Sequence, residues 1–382
     1  MAAPRKFNVF AGSETGLLKG VNTLTNKWDN INQIANADKE NEIRDICSSS
    51  NFTNELYFGT RSYKVFSYDI REDCIKHVFQ LENRKPNCKA LKTCGENIIT
   101  AGEDGIVKVW NNNHELVKEF SSGVTLNSNL CCMIQSPDTP DLIATGGKET
   151  DLKIWNINDS EKALFEAKNV KNDWLNLRVP IWVLDAEFIP STDKIVTSTG
   201  YKQVRIYDPK VQRRPVLDMT FDEFPITALS VCPLANNQAV IGNSRGKMAT
   251  IDFRKGSVVN IFKGLAGSIR DLKCYKTEPY VASCGLDRYV RIHDYKTKEL
   301  KHKFYLKSRL NCLYLNESCS EEISSKNIEE KMPEVQSNNC KENNDDEEIW
   351  NQMEVIKTKR KGDILETGIA SELKKKRLKN RK

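Results

Sequence analysis

The sequence predicts an all-β protein: a seven-bladed β-propeller closed by a C-terminal strand and followed by a disordered, charged tail. Three observations carry this reading. One segment pattern recurs seven times at a spacing in the forties, a spare strand-like segment follows the seventh copy, and apolar patterning stops after residue 316. Of the 382 residues 39% are hydrophobic, which makes a large core only if one continuous fold uses most of them. Short Val/Ile/Leu runs bounded by Gly, Asn, Asp and Pro are plentiful, and stretches with a 3.6-residue apolar period are scarce, so strands are favoured over helices.

Each copy runs from an apolar pair through a small residue and a polar, Gly-containing turn to an alternating strand. The copies are Val9–Val21 (VFAGSETGLLKGV), Tyr57–Asp69 (YFGTRSYKVFSYD), Ile98–Trp110 (IITAGEDGIVKVW), Leu142–Trp155 (LIATGGKETDLKIW), Lys194–Asp208 (KIVTSTGYKQVRIYD), Gln238–Asp252 (QAVIGNSRGKMATID) and Tyr280–Asp294 (YVASCGLDRYVRIHD). Their closing positions Val21, Tyr68, Trp110, Trp155, Tyr207, Ile251 and His293 lie 47, 42, 45, 52, 44 and 42 residues apart. A period of about 40–45 residues with a terminal Trp-Asp-like pair is the WD40 pattern. No copy carries the Gly-His dipeptide common in that repeat, and only two end in Trp. The usual buried network of Asp, His, Ser/Thr and Trp is approached most closely by Asp104, Thr100 and Trp110.

Each copy supplies two strands joined by a tight turn, and flanking runs supply two more. Inner strands are expected at Ile43–Cys47, Cys88–Lys92, Leu130–Ile134, Ile181–Phe188, Ile226–Val231 and Ile269–Cys274. The first copy has no room for one before Val9, whereas Leu310–Leu315 (LNCLYL) stands unused after the last. That segment is expected to complete the first blade, close the ring and hide its edges. The propeller domain is therefore expected to span 1–316.

Beyond Asn316 the composition breaks. Residues 317–348 hold eleven acidic and three basic residues, and 357–382 hold eleven basic and three acidic, blocks that cannot fold alone. The expected division is an acidic disordered linker over 317–348, a short helix over 349–361 and a basic disordered tail over 362–382. Trp350 and Met353 share one face of that helix and suit a docking peptide; a transient helix is the plainer reading. Lys357, Lys359, Arg360 and Lys361, with Lys374, Lys375, Lys376 and Arg377, read as a nuclear or nucleolar localisation signal.

Chemistry is hard to place on this chain. There is no GxxxxGK[ST], GxSxG or HExxH, and the twelve cysteines show no CxxC spacing, so no enzyme activity, metal or cofactor is expected. No run approaches a membrane span, and no small-molecule substrate is implied. The cysteines sit mostly in apolar runs, where a free thiol behaves as a small hydrophobe in a reducing compartment.

Binding surface is easier to find. In a propeller the turns between second and third strands and the connections between blades converge on one face. That face should carry Lys148, Lys202, Arg245, Lys247 and Arg288 from turns, and Arg84, Lys85, Lys168, Lys171, Arg178, Lys307 and Arg309 from connections. Glu103, Asp104, Glu149, Asp151, Asp173, Asp222, Glu223 and Asp287 share it, so an ordinary mixed-charge rim competes with a basic patch. The connection Lys168–Pro180 (KNVKNDWLNLRVP) is unusually long and places Trp174 among Lys168, Lys171, Asn172 and Arg178, which suits protein or RNA contact. The alternative is a Trp packed on its own blade. Arg213 and Arg214 are expected on the opposite face.

KNVKNDWLNLRVPIW (168–182), TGYKQVRIYDPKVQRRPVLD (199–218), KGLAGSIRDLKCYKTEPYVASCGLDRYVRIH (263–293) and HKFYLKSRLNCLYL (302–315) resemble the WD repeat-containing protein 74 family, nucleolar WD-repeat factors of large-ribosomal-subunit assembly. The likeness covers the propeller and is strongest from 142 to 315; the tail is similar only in style. It implies a non-catalytic factor in rRNA processing, bound to the large-subunit pre-ribosomal particle, with pre-rRNA, other ribosome-assembly factors and an AAA-type ATPase as partners. Lys148, Lys168, Lys171, Asn172, Trp174, Arg178, Lys202, Arg245 and Arg288 are the expected binding face. Two other readings stay open: a substrate receptor of a cullin-type ubiquitin ligase, whose Trp-Asp-x-Arg box is approached by Tyr68-Asp69-Ile70-Arg71 and Ile251-Asp252-Phe253-Arg254, and a chromatin-peptide reader.

Overall fold

The computed structural model describes residues 7–33, 38–49, 54–81, 87–124, 128–159, 162–235 and 237–316. The chain divides into two units, Met1–Glu329 and Glu330–Lys382, and every described residue belongs to the first. The expectations for 317–382, including the acidic linker, the helix with Trp350 and Met353, and the localisation signal, therefore lie outside the described residues.

Seven four-stranded antiparallel sheets form the ring. In six, the strands follow chain order from inner to outer edge. The first is assembled from both ends of the body: Leu310–Leu315 pairs with Val9–Ser13, which continues to Leu18–Asn22 and Lys27–Asn30. Val9 faces Leu315 and Ala11 faces Leu313, so the closing strand sits at the position and with the residues the sequence indicated.

The other inner strands are Ile43–Ser48, Cys88–Cys94, Asn129–Gln135, Val183–Phe188, Ile226–Val231 and Ile269–Cys274. The inner strand of the fifth blade, Val183–Phe188, starts two residues later than expected. The Ile181 carbonyl accepts the Glu149 N–H at 2.9 Å, and Trp182 makes only an isolated bridge to Lys148, so both residues still belong to the connection.

Every inner strand carries a bulge at the same place. The register slips between Ile43 and Asp45, Cys88 and Ala90, Leu130 and Cys132, Val183 and Asp185, Ile226 and Ala228, and Ile269 and Asp271. In the closing strand it slips opposite Gly12/Ser13. A bulge inserts one residue and re-aims it. The residues so released, Arg44, Lys89, Cys131, Leu184, Thr227, Arg270 and Asn311, all line the central channel.

Hydrophobic clusters fill the seams between neighbouring blades, as between the fifth and sixth, where Val204, Ile206 and Phe221 meet Leu229, Ile241 and Ala249. The seam is tightest at its inner end: a Cβ on Gly242 would come within 2.8 Å of Ile269 Cγ2 in the next blade. Third strands carry cations opposite fourth-strand acids, Lys108–Glu119 at 3.5 Å, Lys153–Glu166 at 3.3 Å and Arg205–Asp218 at 3.4 Å, each directly paired in register. The Trp110 indole donates to Thr100 Oγ1 at 2.9 Å, as the repeat pattern suggested, and Trp155 repeats this with Thr145 at 3.0 Å. Asp104 also accepts the Ile106 N–H at 3.1 Å within its own turn.

Carboxylates stitch blade to blade around the channel. Asp45 accepts its neighbour's N–H from Ile46 and, across the seam, from Leu91 at 3.1 Å. Asp185 does the same with Ala186 and Leu229 (2.9 Å), and Asp271 with Leu272 and Leu313 (2.7 Å). The last of these ties the seventh blade to the closing strand. Lys92 meets Asp45 at 2.6 Å, and Lys273 is held well above the usual ammonium range first by Asp271 and then by Glu187, Asp185 and Asp45. Withdrawal from water pushes the Asp185 carboxyl up to about 6 and that of Glu187 to about 7, with Lys273 opposing both shifts.

Two expectations follow. Asp271→Ala removes two acceptors and the nearest counter-charge of Lys273, and should cost about 3 kcal/mol in urea unfolding. Asp193→Ala, which breaks an exposed pair with Lys210, should cost under about 0.5 kcal/mol, and equal costs would contradict the stitching role. A raised carboxyl stabilises the fold below its unfolded value, about 4.5 for Glu187, and loses that contribution as pH climbs through about 7. Glu187→Gln should therefore match the parent at pH 4 and exceed its stability by on the order of 1 kcal/mol at pH 8. Denaturant midpoints at the two pH values check this, and an equal difference at both would refute it.

Candidate functional site

The two loop families meet on one face through backbone bonds. Arg61 N–H donates to Glu42 at 2.8 Å, Glu149 to Ile181 at 2.9 Å, Ser244 to Pro225 at 2.9 Å, Leu286 to Ser268 at 3.0 Å and Glu14 to Arg309 at 3.0 Å. Each links a second-to-third-strand turn to a blade connection, so side chains far apart in sequence share a rim.

On this rim cations stand beside aromatic rings. Lys148 ends its strand with Nζ 5.6 Å from the Trp182 ring centre. That ring lies against Gly200, where a Cβ would come within 2.3 Å of it, and meets Tyr201 edge-on at 5.8 Å. Lys202 follows in a left-handed turn conformation, φ 66°. Arg245 stacks 5.1 Å from Phe224, and Arg288 donates to the Tyr305 hydroxyl at 3.4 Å beside the Tyr289–Tyr305 pair. Lys307 lies 5.7 Å from Trp28. The Lys148, Arg245 and Lys307 pairs hold a cation over a π face without neutralising it.

The acids of the rim are largely committed. Asp222 bonds Lys247 Nζ at 2.6 Å and Asn243 at 2.8 Å, and the Lys247 bond holds its carboxyl below the usual range. Asp287 pairs with Arg291, Glu14 with Arg309 at 3.4 Å, and Glu103 accepts from Asn87 at 3.0 Å. Lys247, Arg309 and Arg178 are thus paired with rim acids, while Lys148, Arg245 and Lys307 stand beside aromatics.

The long connection forms a finger. At its base Asn169 Nδ2 donates to the Val179 carbonyl at 2.6 Å, and Arg178 pairs with Glu149 at 2.8 Å. At its tip Asp173 Oδ1 accepts from Leu175 and Leu177 N–H at 2.9 and 2.8 Å, and Asn172 bonds the Asn176 carbonyl at 3.1 Å. Trp174 is 90% exposed, which removes the alternative of a ring packed on its own blade. Lys168 and Lys171 are exposed on the same segment. Arg213 and Arg214 are not on the opposite face as expected. They belong to the outer strand Gln212–Thr220, where Arg213 bonds Glu166 and Arg214 bonds the Asn169 carbonyl, bracing the start of the finger. Arg84 and Lys85 lie outside the described residues.

Sequence reading missed Arg44, Lys89 and Arg270, whose bulges turn them into the channel, and the buried charges below them. The signal present was their shared place, second in each inner strand. Asp69 and Asp252, in the ligase-like boxes, accept the N–H groups of Arg71 and Arg254 at 2.8 Å and so close strand turns. Among the described residues ten cysteines are unpaired, and no group of three or more His, Cys, Asp or Glu is placed to hold a metal.

Comparison with known proteins agrees with the repeat reading. The family model "WD domain, G-beta repeat" matches residues 256–294. WD repeat-containing protein 74 of Homo sapiens is 41% identical over 325 residues, covering 82% of this chain and 82% of that protein. The Bos taurus protein of the same name is 38% identical over 361 residues, covering 92% and 91%. Ribosome biogenesis protein NSA1 of Meyerozyma guilliermondii is 36% identical over 207 residues, covering 46% and 52%. With the seven-bladed ring and near full-length likeness together, this chain belongs to the WD repeat-containing protein 74 family.

Proposed function

We propose that the protein is a non-catalytic ribosome biogenesis factor whose propeller docks, through the rim of turns and connections, on precursors of the large ribosomal subunit. The observation that carries the reading is the pairing of rim cations with aromatics: Lys148 with Trp182, Arg245 with Phe224, Arg288 with Tyr305. Cations offer phosphate contacts and aromatic faces offer stacking to unpaired bases, the combination that single-stranded and looped RNA requires. Membership of the family and likeness to proteins named for ribosome biogenesis support the same assignment. On this reading pre-rRNA and neighbouring assembly factors share the rim, and the protein takes part in rRNA processing. An AAA-type ATPase releases it, and the basic clusters of the tail direct it to the nucleus and nucleolus.

The channel suits a structural role. Lys92 and Lys273 are matched there by Asp45, Asp185, Glu187 and Asp271, all four of which also bond backbone across a seam.

Tagged protein from nuclear extract should sediment in a sucrose gradient with large-subunit precursors. Combined Lys148→Ala, Lys202→Ala and Arg288→Ala changes should lower the particle-bound fraction about tenfold at physiological salt and flatten its salt dependence. A chain ending at Asn316 and carrying an added nuclear localisation signal should stay bound. Sedimentation as free protein, with a ligase adaptor or histones in the pull-down, would overturn the proposal.

A further inference from the structure

The finger differs in chemistry from the rest of the rim. Its tip shows three apolar side chains to solvent: Trp174 at 90%, Leu177 at 59% and Leu175 at 56% exposure. Soluble surfaces scatter such residues singly, whereas here three crowd four consecutive positions at the end of a projecting loop. The apolar cluster between the fourth and fifth blades takes in Ala167 and Ile181 at the ends of the connection and none of these three.

Those bonds hold the tip in one shape. The Asp173 carboxylate caps two N–H groups, the Asp173 N–H returns to the Leu177 carbonyl at 3.0 Å, and Asn176 takes a left-handed φ of 61°. The Asn172 amide closes the turn from its other side, and the Asn169–Val179 and Arg178–Glu149 contacts fix the stem. A ring presented on a preformed loop loses little freedom on binding, the condition under which a Trp becomes an energetic anchor.

We infer that the finger is a protein-docking knob, with Trp174, Leu175 and Leu177 entering an apolar pocket with an acidic rim on another protein of the large-subunit precursor. This rests on the docking reading above and specifies the partner's chemistry at this one place. Leucines neither stack on bases nor pair with phosphates, so two of the three exposed groups have no use on RNA. The only acid of the tip, Asp173, is engaged with backbone. The ammonium groups of Lys168 and Lys171 flank the tip and meet no acid among the described residues, which leaves them for carboxylates around the pocket.

The test places a photo-reactive phenylalanine analogue at position 174, and separately at 177, in the full-length tagged chain, followed by crosslinking in gradient-purified large-subunit precursors. The expected product is a single protein crosslinked from both positions, through an apolar segment next to Asp or Glu residues. Trp174→Ala with Leu177→Ser should weaken binding of the purified chain to that protein at least about 30-fold, about 2 kcal/mol, and Trp174→Phe should retain most of it. Both variants should melt with the parent, because the tip contributes nothing to the core. Crosslinks to RNA, or none while the chain sediments with particles, would overturn the knob and leave the rim reading standing. Absence of the unaltered chain from the particles would overturn both.

Discussion

The structure depends on one strand pairing, that of Leu310–Leu315 with Val9–Ser13. A four-stranded blade has two faces and can bury neither alone, so the blades are stable only as a ring in which each seam covers both neighbours. The ring in turn exists only if the last inner strand completes the first blade. The surroundings of that joint are built accordingly: Leu313 N–H is taken by Asp271 of the seventh blade, Cys312 packs among Phe10, Ile43 and Phe58, and Asn316 N–H bonds the Asn8 carbonyl. Closure also covers the edge of Val9–Ser13, which would otherwise invite pairing with another chain.

Inside the ring, the bulges and the carboxylates work together. Each bulge opens the inner strand by one residue, and in three blades the next residue is an Asp whose two oxygens bridge the seam. Buried carboxylates are costly unless bonded, and these are bonded twice through backbone and balanced by Lys92 and Lys273. Where the Asp is missing, other groups cross the seam: Thr227 reaches the Ile269 carbonyl at 2.5 Å, and Asn311 reaches Glu42 at 2.7 Å. The channel is therefore a fastening of the ring.

Much of this was legible in the sequence, for physical reasons. Strand periodicity, turn residues and spacing are local, and they located all seven blades and the closing strand. The position of Trp174 in a long connection was legible too, but its exposure was not, since a Trp in a loop packs inward or stands out according to partners distant in sequence. Arg213 and Arg214 show the same limit: they sit near a turn in the chain, but their guanidinium groups are claimed by Glu166 and Asn169 of the preceding blade. The charged channel stayed hidden because a bulge changes which way one residue points, and only the shared place of Arg44, Lys89 and Arg270 in their strands marks that change.

On the proposed function the closed ring presents one face, the rim of turns and connections, to large-subunit precursors. Lysine labelling of the free and the particle-bound protein, read peptide by peptide, separates the two faces. Lys148, Lys171 and Lys202 should be protected in the particle, with Lys210, Lys255 and Lys296 on the far side labelled equally in both states. Protection of the far-side lysines with the rim still reactive would contradict the proposal.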